Sequence, residues 1–183
     1  MVKILKNIKI FVFCLVVNNC FCQDFTKNIS GTIGLLNPKI RIQYEAPIGI
    51  KQSYGLNLNY YLVAWTGPIL ELFYRRYDIR KSNDKGWFKQ VKIGYGNLES
   101  LPYMNSSGKR WSTFGGGFAW GYKHLTSNGF TIETLAGVRF YTPPNENEKN
   151  GNQQVTNEEL ENFTWILTTG FPLDLQIKFG YQF

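Results

Sequence analysis

Apolar side chains recur at every second position along most of this chain. The pattern is cleanest over its last stretch. There the odd positions from 163 to 183 read Phe, Trp, Leu, Thr, Phe, Leu, Leu, Ile, Phe, Tyr, Phe, ten of eleven apolar, while Asp174, Gln176, Lys178 and Gly180 fall between them. A period of two belongs to a strand with one greasy and one polar face. No slip of phase occurs across Gly170-Phe171-Pro172, so one long strand is expected here, kinked at Pro172. Near the start Ile29, Gly31, Ile33 and Leu35 share a face, and from Ile40 the set moves to even numbers with Ile42, Tyr44 and Ala46. The flip at Leu35-Leu36-Asn37-Pro38 predicts a tight turn or bulge.

Continuing the count predicts eight strands, at 29–36, 38–46, 52–63, 69–79, 87–97, 112–124, 130–141 and 162–183. Eight antiparallel strands joined in sequence describe an all-β, up-and-down barrel, and a transmembrane barrel carries short turns on its periplasmic side and longer loops outside. With the first strand rising from the periplasm, short turns fall near 47–51, 80–86 and 125–129. The outer connections fall near 36–38, 63–68, 98–111 and 142–161, so both long ones lie on the same, outer side.

Alternation by itself does not say which face looks outward. A soluble, lipocalin-like barrel hides its apolar face; an outer-membrane barrel shows it to lipid. The apolar face here is aromatic, with Phe114, Phe118, Trp120, Tyr122, Phe179, Tyr181 and Phe183, whereas Gly115, Gly117 and Gly121 crowd the other. A narrow eight-stranded lumen has room for glycine, not for that load. Arg76, Lys89 and His124 are basic or ionisable groups on the apolar phase, and in this topology they sit near the periplasmic ends of their strands. A Lys or Arg on the lipid face costs ~2–4 kcal/mol at mid-bilayer and about 0–1 at the interface. These seven aromatics are therefore expected to face lipid.

At 183 residues the chain suits one domain after a leader. Lys3, Lys6 and Lys9 precede a short apolar core, Ile10 to Val17, and Cys20-Phe21-Cys22 stands where cleavage belongs. Residues 1–22 are thus expected to be a secretory signal peptide and 23–183 the barrel, in an outer membrane. A lipidated Cys20 or Cys22 is the weaker alternative, since Asn19 and Phe21 are poor neighbours for acylation. All three cysteines (Cys14, Cys20, Cys22) lie in this leader, so no disulfide is expected afterwards. Taking the three lysines from 20 basic residues leaves 17 against 13 acidic ones, a net of +4 with no basic block that would argue for nucleic acid.

On the polar phase stand Lys39, Arg41, Arg75, Lys92, Lys123, Arg139 and Lys178 against Glu45, Glu71, Glu133 and Asp174. Such groups need partners in a dry interior. A salt-bridged plug that sets strand register is expected; a narrow anion-preferring path is the sharper alternative. In the loop near 98–111, Tyr103, Lys109, Arg110 and Trp111 form an aromatic and basic rim suited to lipopolysaccharide or a protein partner. The acidic loop 142–161 carries five Glu and one Lys. His124 is the one histidine, and neither zinc spacing, a phosphate-cradling loop nor a cysteine nucleophile is found. No metal, cofactor or catalytic residue is assigned.

The last strand, ending Phe179-Gly180-Tyr181-Gln182-Phe183, resembles those of outer-membrane barrels, whose terminal aromatic is recognised by the barrel-assembly machinery. With Asn37-Pro38 before Tyr44-Glu45, Gly115-Gly116-Gly117 through Gly121-Tyr122, and the hairpin into Gly129-Phe130, the chain resembles a group of small bacterial outer-membrane β-barrels of a domain of unknown function. The resemblance implies a fold and carries over no active site. The expectation is a non-enzymatic barrel with a structural, adhesive or partner-binding role through its outer loops. The alternatives are a lipid-A-modifying enzyme using His124, a secreted soluble carrier, and a secretion or assembly accessory.

Overall fold

The computed structural model describes residues 27–33, 39–49, 51–63, 65–78, 86–100, 110–143, 165–166, 170 and 172–183. The expected leader, 1–22, lies outside them. The strands are β1 (Asn28–Ile33), β2 (Lys39–Gly49), β3 (Gln52–Tyr61), β4 (Trp65–Tyr77), β5 (Gly86–Ser100), β6 (Arg110–Leu125), β7 (Phe130–Tyr141) and β8 (Leu173–Gln182). Each pairs antiparallel with the next, and β1 pairs with β8, so the sheet closes into an eight-stranded barrel without a free edge. Closure runs through Asn28↔Gln182 to Gly31↔Phe179, and the backbones of Lys27 and Phe183 exchange hydrogen bonds of 2.8 and 2.9 Å.

The phase flip between the first two strands has a simple origin. Ile33 pairs with Ile40, so six residues lie between them, and an even number moves the outward set from odd to even positions. Between β2 and β3 the register shifts at Pro47/Gly49, a bulge in a short connection. Thr126 and Phe130 close the β6–β7 turn, where Gly129 has φ +81°. That backbone favours glycine.

Three boundaries differ from expectation. The long eighth strand is a correction: β8 starts at Leu173, while Trp165 and Ile166 have helical backbone and Gly170 N–H donates to Trp165 C=O at 2.7 Å. At Trp165 and Ile166 alternation did not mean extension, and the Trp165 ring, outward by phase, is buried. Second, β4 begins at Trp65 and contains Pro68. The β4–β5 ladder runs Trp65↔Ser100 and Thr66↔Glu99, then resumes at Ile69↔Gly96, so it opens where proline has no N–H to give. Third, the β5–β6 hairpin is longer than expected, and Arg110 and Trp111 belong to β6 rather than to a loop.

One end of the barrel, called here the termini end, holds the start of β1, the end of β8 and the ends at which β2 meets β3, β4 meets β5 and β6 meets β7; the other strand ends lie opposite. Most outward positions are apolar, as with Ile42, Leu72, Ile93, Phe114, Trp120, Ile177 and Phe179, and the outward charges Arg76, Lys89, Glu99 and Arg110 stand near strand ends. Inward positions carry the buried charges.

Candidate functional site

Alternation on each strand assembles the interior. β2 sends in Lys39, Arg41, Gln43 and Glu45, β3 Asn57, Asn59 and Tyr61, β4 Glu71, Arg75 and Tyr77, and β5 Gln90 and Lys92. β6 supplies Lys123, β7 Glu133, Arg139 and Tyr141, and β8 Asp174, Gln176 and Lys178. All eleven charged residues expected in the lumen are buried, and they fall into two ionic clusters stacked along the axis.

The cluster toward the termini end is organised by Arg75. Its Nη1 lies 2.7 Å from Glu45 Oε2, its Nη2 2.9 Å from Glu133 Oε2, and its Nε donates to Gln90 Oε1 at 2.7 Å. The guanidinium also stacks over Phe88, 4.2 Å from the ring centre. Lys123 Nζ stands 3.6 Å from Glu45, and Lys178 Nζ 3.7 Å from Glu133 while donating to Gln43 at 2.6 Å. Ser53 and Tyr77 hydroxyls donate to Glu45 Oε1 at 2.5 and 2.7 Å, and Asn28 donates to Glu133 at 3.1 Å. Each carboxylate thus has both a cation and neutral donors, as burial of a charge requires.

The second cluster centres on Glu71 and Asp174. Lys92 Nζ bridges them, 3.1 Å from Glu71 and 2.6 Å from Asp174. Tyr141 and Asn57 donate to Glu71 at 2.7 and 3.0 Å, and Arg41 Nη2 lies 3.4 Å away. Arg41 also donates to Asn59 and Gln176. Lys39 approaches Asp174 at 3.9 Å, and Arg139 donates to the Tyr61 hydroxyl at 2.8 Å. Among the described residues Lys39, Arg41, Arg75, Lys92, Lys123 and Lys178 pair with the four carboxylates, and amide or phenol oxygens accept further hydrogen bonds from Arg41, Arg75, Lys178 and Arg139.

Aromatic layers lie beyond both clusters. Away from the termini end, Trp111 meets Trp65 and Trp165 edge-on at 4.3 and 5.4 Å between ring centres, within a buried group that includes Tyr61, Ile69, Leu98 and Tyr141. At the termini end Tyr77, Phe88, Ala119 and Leu135 pack together. Glycines make room on β6. A Cβ on Gly115 would run into Phe140 C=O and come within 2.7 Å of Tyr141 Cα, and one on Gly117 would strike Val138 C=O.

Of the aromatics expected on the outer face, Phe114, Trp120, Tyr122, Phe179, Tyr181 and Phe183 are exposed there and Phe118 is half-buried against Trp120. The expected rim of loop contacts is corrected in part. Trp111 points inward and is buried, because its odd number opposes the even outward phase of β6. Arg110 faces outward and pairs with Glu99 across the hairpin at 2.9 Å. Tyr103 and Lys109 lie outside the described residues. His124 faces outward on β6, opposite Ile132. The tryptophan layer was missed. For Trp65 and Trp111 phase could have revealed it; for Trp165 phase pointed the wrong way.

Comparison with known protein families, with characterised proteins and with solved structures finds no match.

Proposed function

We propose that this protein is a membrane-spanning β-barrel of a bacterial outer membrane, acting as a non-enzymatic structural or partner-binding module rather than as a pore. The observation that carries the reading is the inversion of the ordinary soluble pattern. Side chains on the outer band such as Ile42, Leu72, Ile93 and Phe140 are 57, 56, 57 and 66% exposed, while Arg75, Glu133 and Lys178 are 0% exposed. Water is a poor solvent for so continuous an apolar surface. Hydrocarbon is a good one, and a closed barrel leaves it no unpaired backbone.

The outer band is also graded. Aliphatic residues, including Leu58, Leu70, Leu72, Ile93 and Leu175, occupy its middle. Tyr54, Tyr74, Trp87, Tyr122 and Tyr181 stand toward the termini end, and Tyr60, Tyr95 and Phe114 toward the other. Aromatic girdles of this kind suit the two interfaces of a bilayer. Ionic clusters between two aromatic layers support a filled barrel, which favours anchoring and presentation over conduction. Expected outer-membrane lipid contact, lipopolysaccharide at the far rim and recognition of the β8 strand by assembly machinery belong to this reading.

Cell fractionation with gel mobility tests it. The protein should partition with outer membranes, need detergent for extraction and migrate differently before and after boiling. Recovery as a detergent-free soluble species would overturn the reading in favour of a secreted carrier. Planar-bilayer recording should show no steady conductance; defined channels would overturn the filled-barrel role.

A further inference from the structure

The outward charges of the two rims differ in kind. At the far rim Glu99 and Arg110 neutralise one another at 2.9 Å. Near the termini end Arg76 of β4 and Lys89 of β5 are both exposed and directly opposite in register. Like charges so placed repel. Among the described residues no carboxylate forms an ion pair with either, Asp78 on the same face included.

The pair belongs to one lateral row of the sheet. Arg76 pairs with Lys89, Lys89 with Trp120, Trp120 with Ala136, and Ala136 with Leu175. Along this row the distance from the termini end grows. Arg76 is one residue from the end of β4, Lys89 three from the start of β5, Trp120 five from the end of β6, Ala136 six into β7 and Leu175 seven from the end of β8. The row therefore climbs from the rim into the apolar band. Its deeper part is a groove of about 350 Å³ on the outer face, floored by Thr134 and Ala136 and walled by Trp120 and Tyr122 on one side and Leu175 and Ile177 on the other.

We propose that this row is a binding site for one anionic glycerophospholipid of the leaflet at the termini end. Arg76 and Lys89 hold its phosphate, and one acyl chain lies in the groove over Ala136. Charge complementarity selects the headgroup: a phosphate between the two cations turns their repulsion into two attractions, and a headgroup without an ammonium of its own brings no third cation beside Arg76 and Lys89. Small residues on β7 between bulky neighbours select a flexible chain. The order of charge, then aromatic, then apolar groove repeats the order of headgroup, glycerol and tail. The site rests on the membrane reading given above.

Native mass spectrometry of the detergent-purified full chain, mixed with phosphatidylglycerol or phosphatidylcholine of identical chains, tests it. The wild type should retain phosphatidylglycerol at least about fivefold more than phosphatidylcholine. The double variant Arg76→Gln/Lys89→Gln should lose that preference, and Ala136→Phe, which fills the groove, should lose retention of both lipids. A heat-modifiable gel shift shows that each variant is folded. Should a variant not fold, the wild-type preference must fall as salt is raised; a salt-independent preference overturns the site. A folded double variant that keeps the preference overturns it too. A wild type that inserts into vesicles but prefers neither lipid overturns the site alone, whereas one that stays soluble without detergent overturns the membrane reading with it.

Discussion

Arg75 on β4 and Glu133 on β7 are 58 residues apart in sequence, yet their side chains meet inside the barrel at 2.9 Å, with neither exposed to solvent. Strands β4 and β7 are not neighbours in the sheet. The contact exists only because the sheet is closed, so it reports closure and register together.

Removing one member of that pair strands the other in a dry interior. Glu133→Ala is expected to cost ~3–5 kcal/mol. It should be measured as urea-driven unfolding from lipid vesicles, with Arg75→Met and the double variant completing a cycle. The double variant should be less destabilised than the sum of the singles. Strict additivity would mean the pair does not hold the barrel.

Position along the outer face should set the cost of a new charge. Leu72→Arg, in the middle of the band, is expected to lose ~2–4 kcal/mol, and Trp87→Arg, two residues from Lys89 near the rim, about 0–1. The same vesicle-unfolding assay ranks them. Equal, negligible costs would mean that water rather than hydrocarbon bathes this surface.

Trp165→Ala removes a ring that packs on Trp111 at 5.4 Å and Trp65 at 6.3 Å. The loss should be ~3–5 kcal/mol, typical of deleting a buried large aromatic. Emission from the remaining tryptophans should shift to the red as water reaches the layer. An unchanged spectrum would show that Trp165 does not cover its partners.

Glycines divide by what a methyl group would meet. Gly117→Ala drives a Cβ into Val138 C=O and to 3.0 Å from Arg139 Cα, where both neighbours are strand backbone. A loss of ~1–3 kcal/mol is expected. Gly49→Ala finds nothing within 4 Å and should be close to neutral. Midpoints of thermal or urea unfolding compare the two; similar effects would contradict the packing described for β6.

Much of the architecture was legible in the chain. Eight alternating segments, the division of each into greasy and charged faces, and the eleven charges of the interior follow from a period of two, which is local and needs no knowledge of partners. Phase placed Glu45, Glu71, Glu133 and Asp174 on the same side as their cations, though not against any particular one. It failed for Trp165, whose ring is buried against Trp111 and Trp65 and whose backbone is helical where a strand was expected.

What the amino-acid order determined by itself is therefore which side chains share a face and how many strands there are. What only the tertiary structure decided is the register of the closed sheet, that Arg75 chooses Glu45 and Glu133 while Lys92 chooses Glu71 and Asp174, and that three tryptophans far apart in sequence form one layer. The reason is physical: alternation is written residue by residue, whereas register across a closed sheet is settled by the packing and pairing of groups that meet only once the cylinder has formed.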